Sequence, residues 1–264
     1  MNDVARSRTG EALAAGTRPA NPAMNGKPAQ QKAQVLQIVA EIIQLVELRG
    51  YQPGDRIPSE REISERFNIG RSVVREAMAM LESTRYLERK RSSGVFLSDN
   101  PETTSLEALV LSTKVGLPLS DKVNTDSIEV RRIIEVQAIH LACLRRTAEA
   151  LGRISAVLAG FEHTVVDAET ASDYDFQFHM EIFRATDNEI LSRLVQPFYI
   201  LSRNRREALF ASPVQRGVSH EQHLALFDAI RDQDCERAAS LMGLHIGRVD
   251  DWFSQHLAQP AESA

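Results

Sequence analysis

Cys143 and Cys235 are the only cysteines in the chain, too few for a disulfide framework and in keeping with a reducing compartment. No uninterrupted apolar run approaches the roughly 18 residues that a bilayer-spanning helix requires, so no membrane span is expected. The Ala- and Arg-rich start lacks the apolar block of a secretory signal and carries Asp3 and Glu11. Export is therefore not expected, and the cytoplasm is the expected location. With 13 Gly and 10 Pro the chain is neither collagenous nor low in complexity, while 43% hydrophobic and 25% charged residues are ordinary for a globular protein. Its 264 residues suit one large domain or two ordinary ones.

The formal net charge of −5 argues, taken whole, against a nucleic-acid partner. It is unevenly spread. Residues 1–100 hold 15 Lys and Arg against 12 Asp and Glu, whereas the remainder holds 16 against 24. A mildly basic head on an acidic remainder fits a nucleic-acid-binding module joined to a sensing or assembly domain, with chance unevenness as the alternative.

Residues 1–30 contain no aromatic residue and are read as a disordered tail. From Gln31 apolar residues recur at helical spacing (Val35, Leu36, Val39, Ile42, Ile43, Val46) until Gly50 and Pro53-Gly54. Ser59 followed by Glu62 is a capping box opening a short helix over 60–67. A turn at Asn68-Ile69-Gly70 leads to a second helix from Arg71, with Val74, Ala77, Met78 and Leu81 on one side and Arg71 and Arg75 on the other. That order is a helix-turn-helix, whose second helix enters the major groove of DNA N-terminus first. Residues 86–97 place a basic, Gly-containing tip between two apolar edges, a β-hairpin wing. Arg89, Lys90 and Arg91 are set to meet phosphates, and Gly94 permits close backbone approach to a groove.

These residues resemble the N-terminal domain of the GntR family of bacterial transcription regulators. The resemblance spans 31–98 and rests on Pro58-Ser59-Glu60-Arg61-Glu62, Gly70-Arg71 and Val74-Arg75-Glu76-Ala77. It implies operator contacts by Arg61, Arg71 and Arg75, with Gly70 and Ser72 beside them and Gly94 at the minor groove. Val73 stands where the family often has Pro, and Ser92 where it often has Gly.

After residue 100 the chain shows no useful strand alternation, and helical periodicity runs over about 126–147, 148–168, 172–186, 189–210, 219–232 and 234–257. An apolar stretch at 106–126 breaks around Gly116 and Pro118. The expected fold is mainly α: a winged helix-turn-helix (31–98), a linker (99–105), an all-α bundle of six or seven helices (106–257) and a C-terminal tail (258–264). Asp175 and His179 lie four apart and share a helix face, so they can chelate one ion. His223 and His245 each sit among apolar residues of amphipathic helices, where an unpaired imidazole would cost stability. Four N/O ligands from three helices suit Zn²⁺ first, with Ni²⁺ or another first-row ion left open. A hydrogen-bonded structural cluster is the alternative. His140, His163 and His256 read as structural, His220 as a neighbour of His223 outside the set, and both cysteines as core.

Residues 102–257 resemble the helical FCD-type sensor domain of the FadR branch of that family, through Asp175-x-x-x-His179, Asn188 with Leu191, His223 with Ala229-Ile230, and His245. The resemblance implies that these four ligands hold a divalent metal, with a small carboxylate effector beside it. Arg131, in Glu129-x-Arg131-x-x-x-Glu135, matches an effector-facing arginine; a surface ion pair with Glu135 is its alternative. The function expected is a homodimeric regulator, expected as a repressor, on double-stranded operator DNA. A metal-dependent hydrolase with a nucleic-acid-binding head is the competing class, disfavoured because no general base or Ser-His or Cys-His arrangement stands out. An ion with a purely structural role is a third reading.

Overall fold

A computed structural model of the chain describes residues 26–99, 105–164 and 167–257. Most of the expected tail at 1–30, residues 100–104 of the expected linker, and the 258–264 tail lie outside the described residues, as do the side chains of His163 and His256. Residues 26–30 are helical rather than tail, because α1 spans Gly26–Arg49. Ala29, Gln30, Gln31 and Lys32 are good helix formers, and Pro28 falls in the first turn, where its missing N–H would find no helical partner anyway.

The head follows its local signals closely. In α2 (Glu60–Phe67) both arms of the capping box form, Glu62 N–H donating to Ser59 Oγ and Ser59 N–H to the Glu62 carboxylate. Asn68 closes the helix in the left-handed region at φ 50°. Helix α3 (Arg71–Ser83) follows, and the Val73 N–H donates to the Gly70 carbonyl at 3.0 Å, a bond that the family's more usual proline could not make. Strands β1 (Leu87–Lys90) and β2 (Gly94–Leu97) pair antiparallel, Leu87 opposite Leu97 and Lys90 opposite Gly94. Val35, Ile38, Ile42, Ile63, Val74, Leu81 and Val95 fill one core beneath them.

The wing turn favours the family's glycine over the serine found here. Ser92 adopts φ 62°, a left-handed conformation that costs a side-chain-bearing residue about 1–2 kcal/mol. Gly avoids this strain but loses more backbone entropy. Ser92→Gly should therefore stabilise the protein by about 0.5–1 kcal/mol, read as a raised urea midpoint at unchanged m-value. An unchanged or lowered midpoint would contradict the strain argument.

The rest of the described chain is helical: α4 (Leu106–Lys114), α5 (Asp121–Arg145), α6 (Ala148–Thr164), α7 (Ala168–Ala185), α8 (Glu189–Leu201), α9 (Arg203–Phe210), α10 (Pro213–Arg231) and α11 (Cys235–Leu257). That is eight helices where six or seven were expected. The 189–210 segment divides at Ser202, because the Arg206 guanidinium donates to the Tyr199 carbonyl and to Ser202 Oγ, both at 2.7 Å. The first of these bonds satisfies the Tyr199 carbonyl, which a continuous helix would have paired internally. Helix α10 starts earlier than the expected 219, at Pro213, with Ser212 as its cap. Ile139, Ile154, Phe178, Ile182, Leu226, Ile230, Met242 and Ile246 form the bundle core. Leu111 and Leu117, in and just after α4, pack instead into the head's core, while α4 lies against α8. Cys143 is core as expected, but Cys235 is only half-buried. No helix among the described residues is long and apolar enough to cross a membrane.

Candidate metal centre and nucleic-acid interface

Helix α7 aims Asp175 and His179 into the bundle from adjacent turns, and α10 and α11 bring His223 and His245 to meet them. All four side chains are buried, and one donor atom from each lies within 4.8 Å of the others. His245 Nε2 is 3.3 Å from both His179 Nε2 and His223 Nε2. Asp175 Oδ1 is 3.7 Å from His179 Nε2 and 3.5 Å from His223 Nε2. Donors at about 2.0–2.1 Å from one tetrahedral ion sit roughly 3.4 Å apart, so these edges match such an ion.

The protonation pattern fits as well. Burial, followed by neighbouring imidazoles, pushes His223 and His245 well below the usual histidine range, so both stay neutral. His245 Nδ1 is 2.8 Å from Gln222 Oε1, and His179 Nδ1 faces the Glu135 carboxylate. Acceptors on the Nδ1 side place the proton there and leave the Nε2 lone pairs facing one another. With His223 Nε2 and the Asp175 carboxylate oxygen on the same point, these nitrogens form a donor set that fits a divalent ion.

Glu135 was legible in the sequence only as Arg131's partner. It is buried, and though burial opposes ionisation, the Arg131 charge and bonds from His179 and Tyr199 hold it well below the carboxylate range. Tyr199 Oη donates to Glu135 at 2.7 Å and accepts from Arg131 at 2.9 Å. The Arg131–Glu135 ion pair therefore exists, but in the interior and not on the surface. Beside it a small cavity of about 20 Å³ is lined by Arg131, Arg205, Arg206, Ser127, Phe198 and Phe253, among others. Arg206 joins cavity to cluster, its Nε 3.4 Å from Asp175 Oδ2. Among the described residues Arg205 donates only to neutral groups, Asn124 O and Ser127 Oγ, and burial with repulsion from Arg131 lowers it to about 10. Sequence reasoning missed Arg205 and Arg206, since Arg203-Asn204-Arg205-Arg206 reads as a solvated charge run. His220 stays outside the cluster, stacked on Phe161.

In the head, Arg61, Gly70, Arg71, Ser72 and Arg75 are exposed at and around the start of α3. Arg61, Arg71, Arg75, Arg89 and Gly94 line one cleft between α3 and the wing. Arg75 pairs with Glu60 at 3.2 Å, and Arg89 with Glu60 and Glu82 at 3.1 and 2.7 Å. Lys90 lies 3.6 Å from Asp99. Gly94, at φ 119°, is crossed by Arg56, whose Nε would lie 2.9 Å from any added Cβ. Arg56 thus joins the same face, a residue that the sequence did not flag.

Residues 34–97 match the family described as bacterial regulatory proteins, gntR family, and residues 126–248 match the FCD domain. The HTH-type transcriptional regulator LutR of Bacillus subtilis is 27% identical over 79% of this chain and 95% of its own. The galactonate operon transcriptional repressor of Escherichia coli is 28% identical over 71% and 82%. The putative L-lactate dehydrogenase operon regulatory protein of the same organism is 28% identical over 78% and 80%. A solved structure described as Lar, which controls expression of the Listeria monocytogenes agr system, shares the fold at a TM-score of 0.60 over 83% of this chain and 94% of its own, with 17% identity.

Proposed function

Because the chain belongs to the GntR family of transcription regulators and carries an FCD domain, we propose that it is a repressor whose grip on operator DNA is set by a small carboxylate bound beside a divalent ion. The family and its relatives are DNA-binding regulators, not enzymes, and nothing supports the hydrolase alternative. In this reading the protein works in the cytoplasm as a homodimer, since one recognition helix reads a single half-site and two-fold symmetry matches a two-fold operator.

The observation that carries the sensor reading is the convergence of three Nε2 atoms and one carboxylate oxygen in the bundle interior. Asp175, His179, His223 and His245 would hold the ion, Zn²⁺ before Ni²⁺, and the ion would supply a Lewis-acidic position for a carboxylate oxygen. Arg131, Arg205 and Arg206 would orient the anion. Glu135 and Asp175 already offset two of these charges, and Arg205 is the guanidinium without a carboxylate within ion-pair reach among the described residues. The names of two relatives, tied to galactonate and L-lactate dehydrogenase operons, support a hydroxy acid as the effector class.

The effector can change operator affinity only by the difference in its own affinity for the two dimer states. A packed route for that difference runs from Arg131 to Tyr199 on α8, then to α4, whose Leu111 enters the head's core. Metal analysis tests the reading. Purified wild-type protein should carry about one divalent ion per chain, while His223→Ala and His245→Ala should lose it yet still bind operator without responding to a carboxylate. Wild-type protein that takes up no divalent metal supplied in excess would overturn the ligand assignment.

A further inference from the structure

Cys143 and Cys235 are 92 positions apart in the chain, yet their sulfurs lie 2.7 Å from each other. Both are free thiols. Cys143 is near the end of α5, fully buried against the α10 backbone, where its sulfur lies 3.8 Å from the Ala229 carbonyl. Cys235 opens α11 and retains access to solvent. We propose that Cys235 and Cys143 form a peroxide-oxidised dithiol site that closes an intrachain disulfide between α5 and α11.

The surroundings hold the two sulfurs together. Helices α5 and α11 pack along one another, and Arg146, just beyond α5, donates to the Ile230 carbonyl at 2.8 Å. The Asp234 carboxylate accepts from the Arg237 N–H at 3.1 Å, fixing the start of α11. Closing an S–S bond of about 2.05 Å from this contact requires a shift of well under 1 Å, within side-chain rotation. Packing alone is a poor account of the pair, because a sulfur kept half-exposed at a helix start gains little of the burial that makes cysteine a useful small hydrophobe.

Access and acidity set the order of events. Burial and the neighbouring sulfur push the Cys143 thiol up to about 12, so it stays protonated at neutral pH and cannot attack first. The Cys235 thiolate attacks a hydroperoxide: an S–O bond forms, the O–O bond breaks, and the alcohol or water leaves with a proton. The Cys143 sulfur then attacks the Cys235 sulfenic acid. An S–S bond forms, the S–O bond breaks, and the Cys143 proton departs with the hydroxyl as water. Two thiols lose two electrons and the peroxide gains them. The crosslink lies roughly 12 Å along α5 from Glu135 and roughly 15 Å along α11 from His245, so oxidation ties α11, which carries the His245 ligand, to α5, which carries the carboxylate facing His179.

The test uses the full-length reduced protein, exposed to hydrogen peroxide, denatured in N-ethylmaleimide and weighed intact. The chain has only two cysteines, so the result is unambiguous. Wild-type monomer should lose two hydrogens and take no label, and digestion should yield one peptide pair joined through Cys143 and Cys235. Cys143→Ser should stop at a sulfenic acid on Cys235 that dimedone captures, and Cys235→Ser should leave Cys143 fully labelled. Two labels on peroxide-treated wild-type monomer, or a crosslink found only between chains, would overturn the proposal whether or not either variant folds.

Discussion

Lowering the pH of the metal-free protein from 6.5 to 5.5 is expected to remove about 2 kcal/mol of folding stability. The cause is His223 and His245, which burial and their imidazole neighbours hold well below the ordinary value of 6.5. In the unfolded chain both take up protons as pH falls through 6.5, while in the folded chain neither does. A depressed folded-state value means that stability is complete above the unfolded value and is lost as pH falls toward the folded one. Two extra protons on the unfolded state give a slope of about 2.7 kcal/mol per pH unit at its steepest. Urea titrations at stepped pH would measure it, and His245→Gln should halve the slope. A flat stability profile between pH 6.5 and 5 would mean that the two imidazoles are already charged in the fold, which is incompatible with Nε2 lone pairs turned inward. Bound metal should move the loss to lower pH, since protons must then displace the ion first.

What the sequence made legible follows from how local each signal is. The capping box at Ser59 and Glu62, the left-handed Asn68 and the arginines opening α3 all lie within one short segment, so their roles could be read residue by residue. Asp175 and His179 share a helix face by spacing, and His223 and His245 stood out because imidazoles amid apolar residues need partners. Glu135, Tyr199, Arg205 and Arg206 were not legible as one group. Their pairing is tertiary, with Tyr199 meeting Arg131 across 68 positions, and nothing in a run of arginines tells a buried guanidinium from a solvated one. The division of α8 from α9 was hidden for the same reason, since an arginine side chain and no Gly or Pro ends the helix at Ser202. The meeting of Cys143 and Cys235 likewise depends on α5 and α11 packing together, which no spacing announces.

Arg75→Ala is expected to weaken operator binding more than Arg71→Ala, and the ion pairs in the head give the reason. Arg71 has no carboxylate within ion-pair distance among the described residues, so its removal subtracts a base-edge contact and little else, about 1–3 kcal/mol, or roughly 5- to 150-fold in affinity. Arg75 holds Glu60 at 3.2 Å, and Glu60 also receives Arg89. Alanine at 75 removes the same kind of contact and leaves Glu60 less neutralised at the surface facing the phosphates, adding repulsion to the loss. Lys90→Ala should behave differently from both. A phosphate contact carries no sequence information, so all DNA should be bound more weakly, and the slope of log affinity against log salt should become shallower by about one. The measurement is a gel-shift titration on an operator selected from random duplexes by the wild-type protein, run alongside scrambled DNA at several salt concentrations. Restored affinity in Arg75→Ala/Glu60→Gln, relative to Arg75→Ala alone, would assign the extra loss to the freed carboxylate. Equal affinity of wild-type, Arg71→Ala and Arg75→Ala for the selected operator would show that α3 does not read the groove.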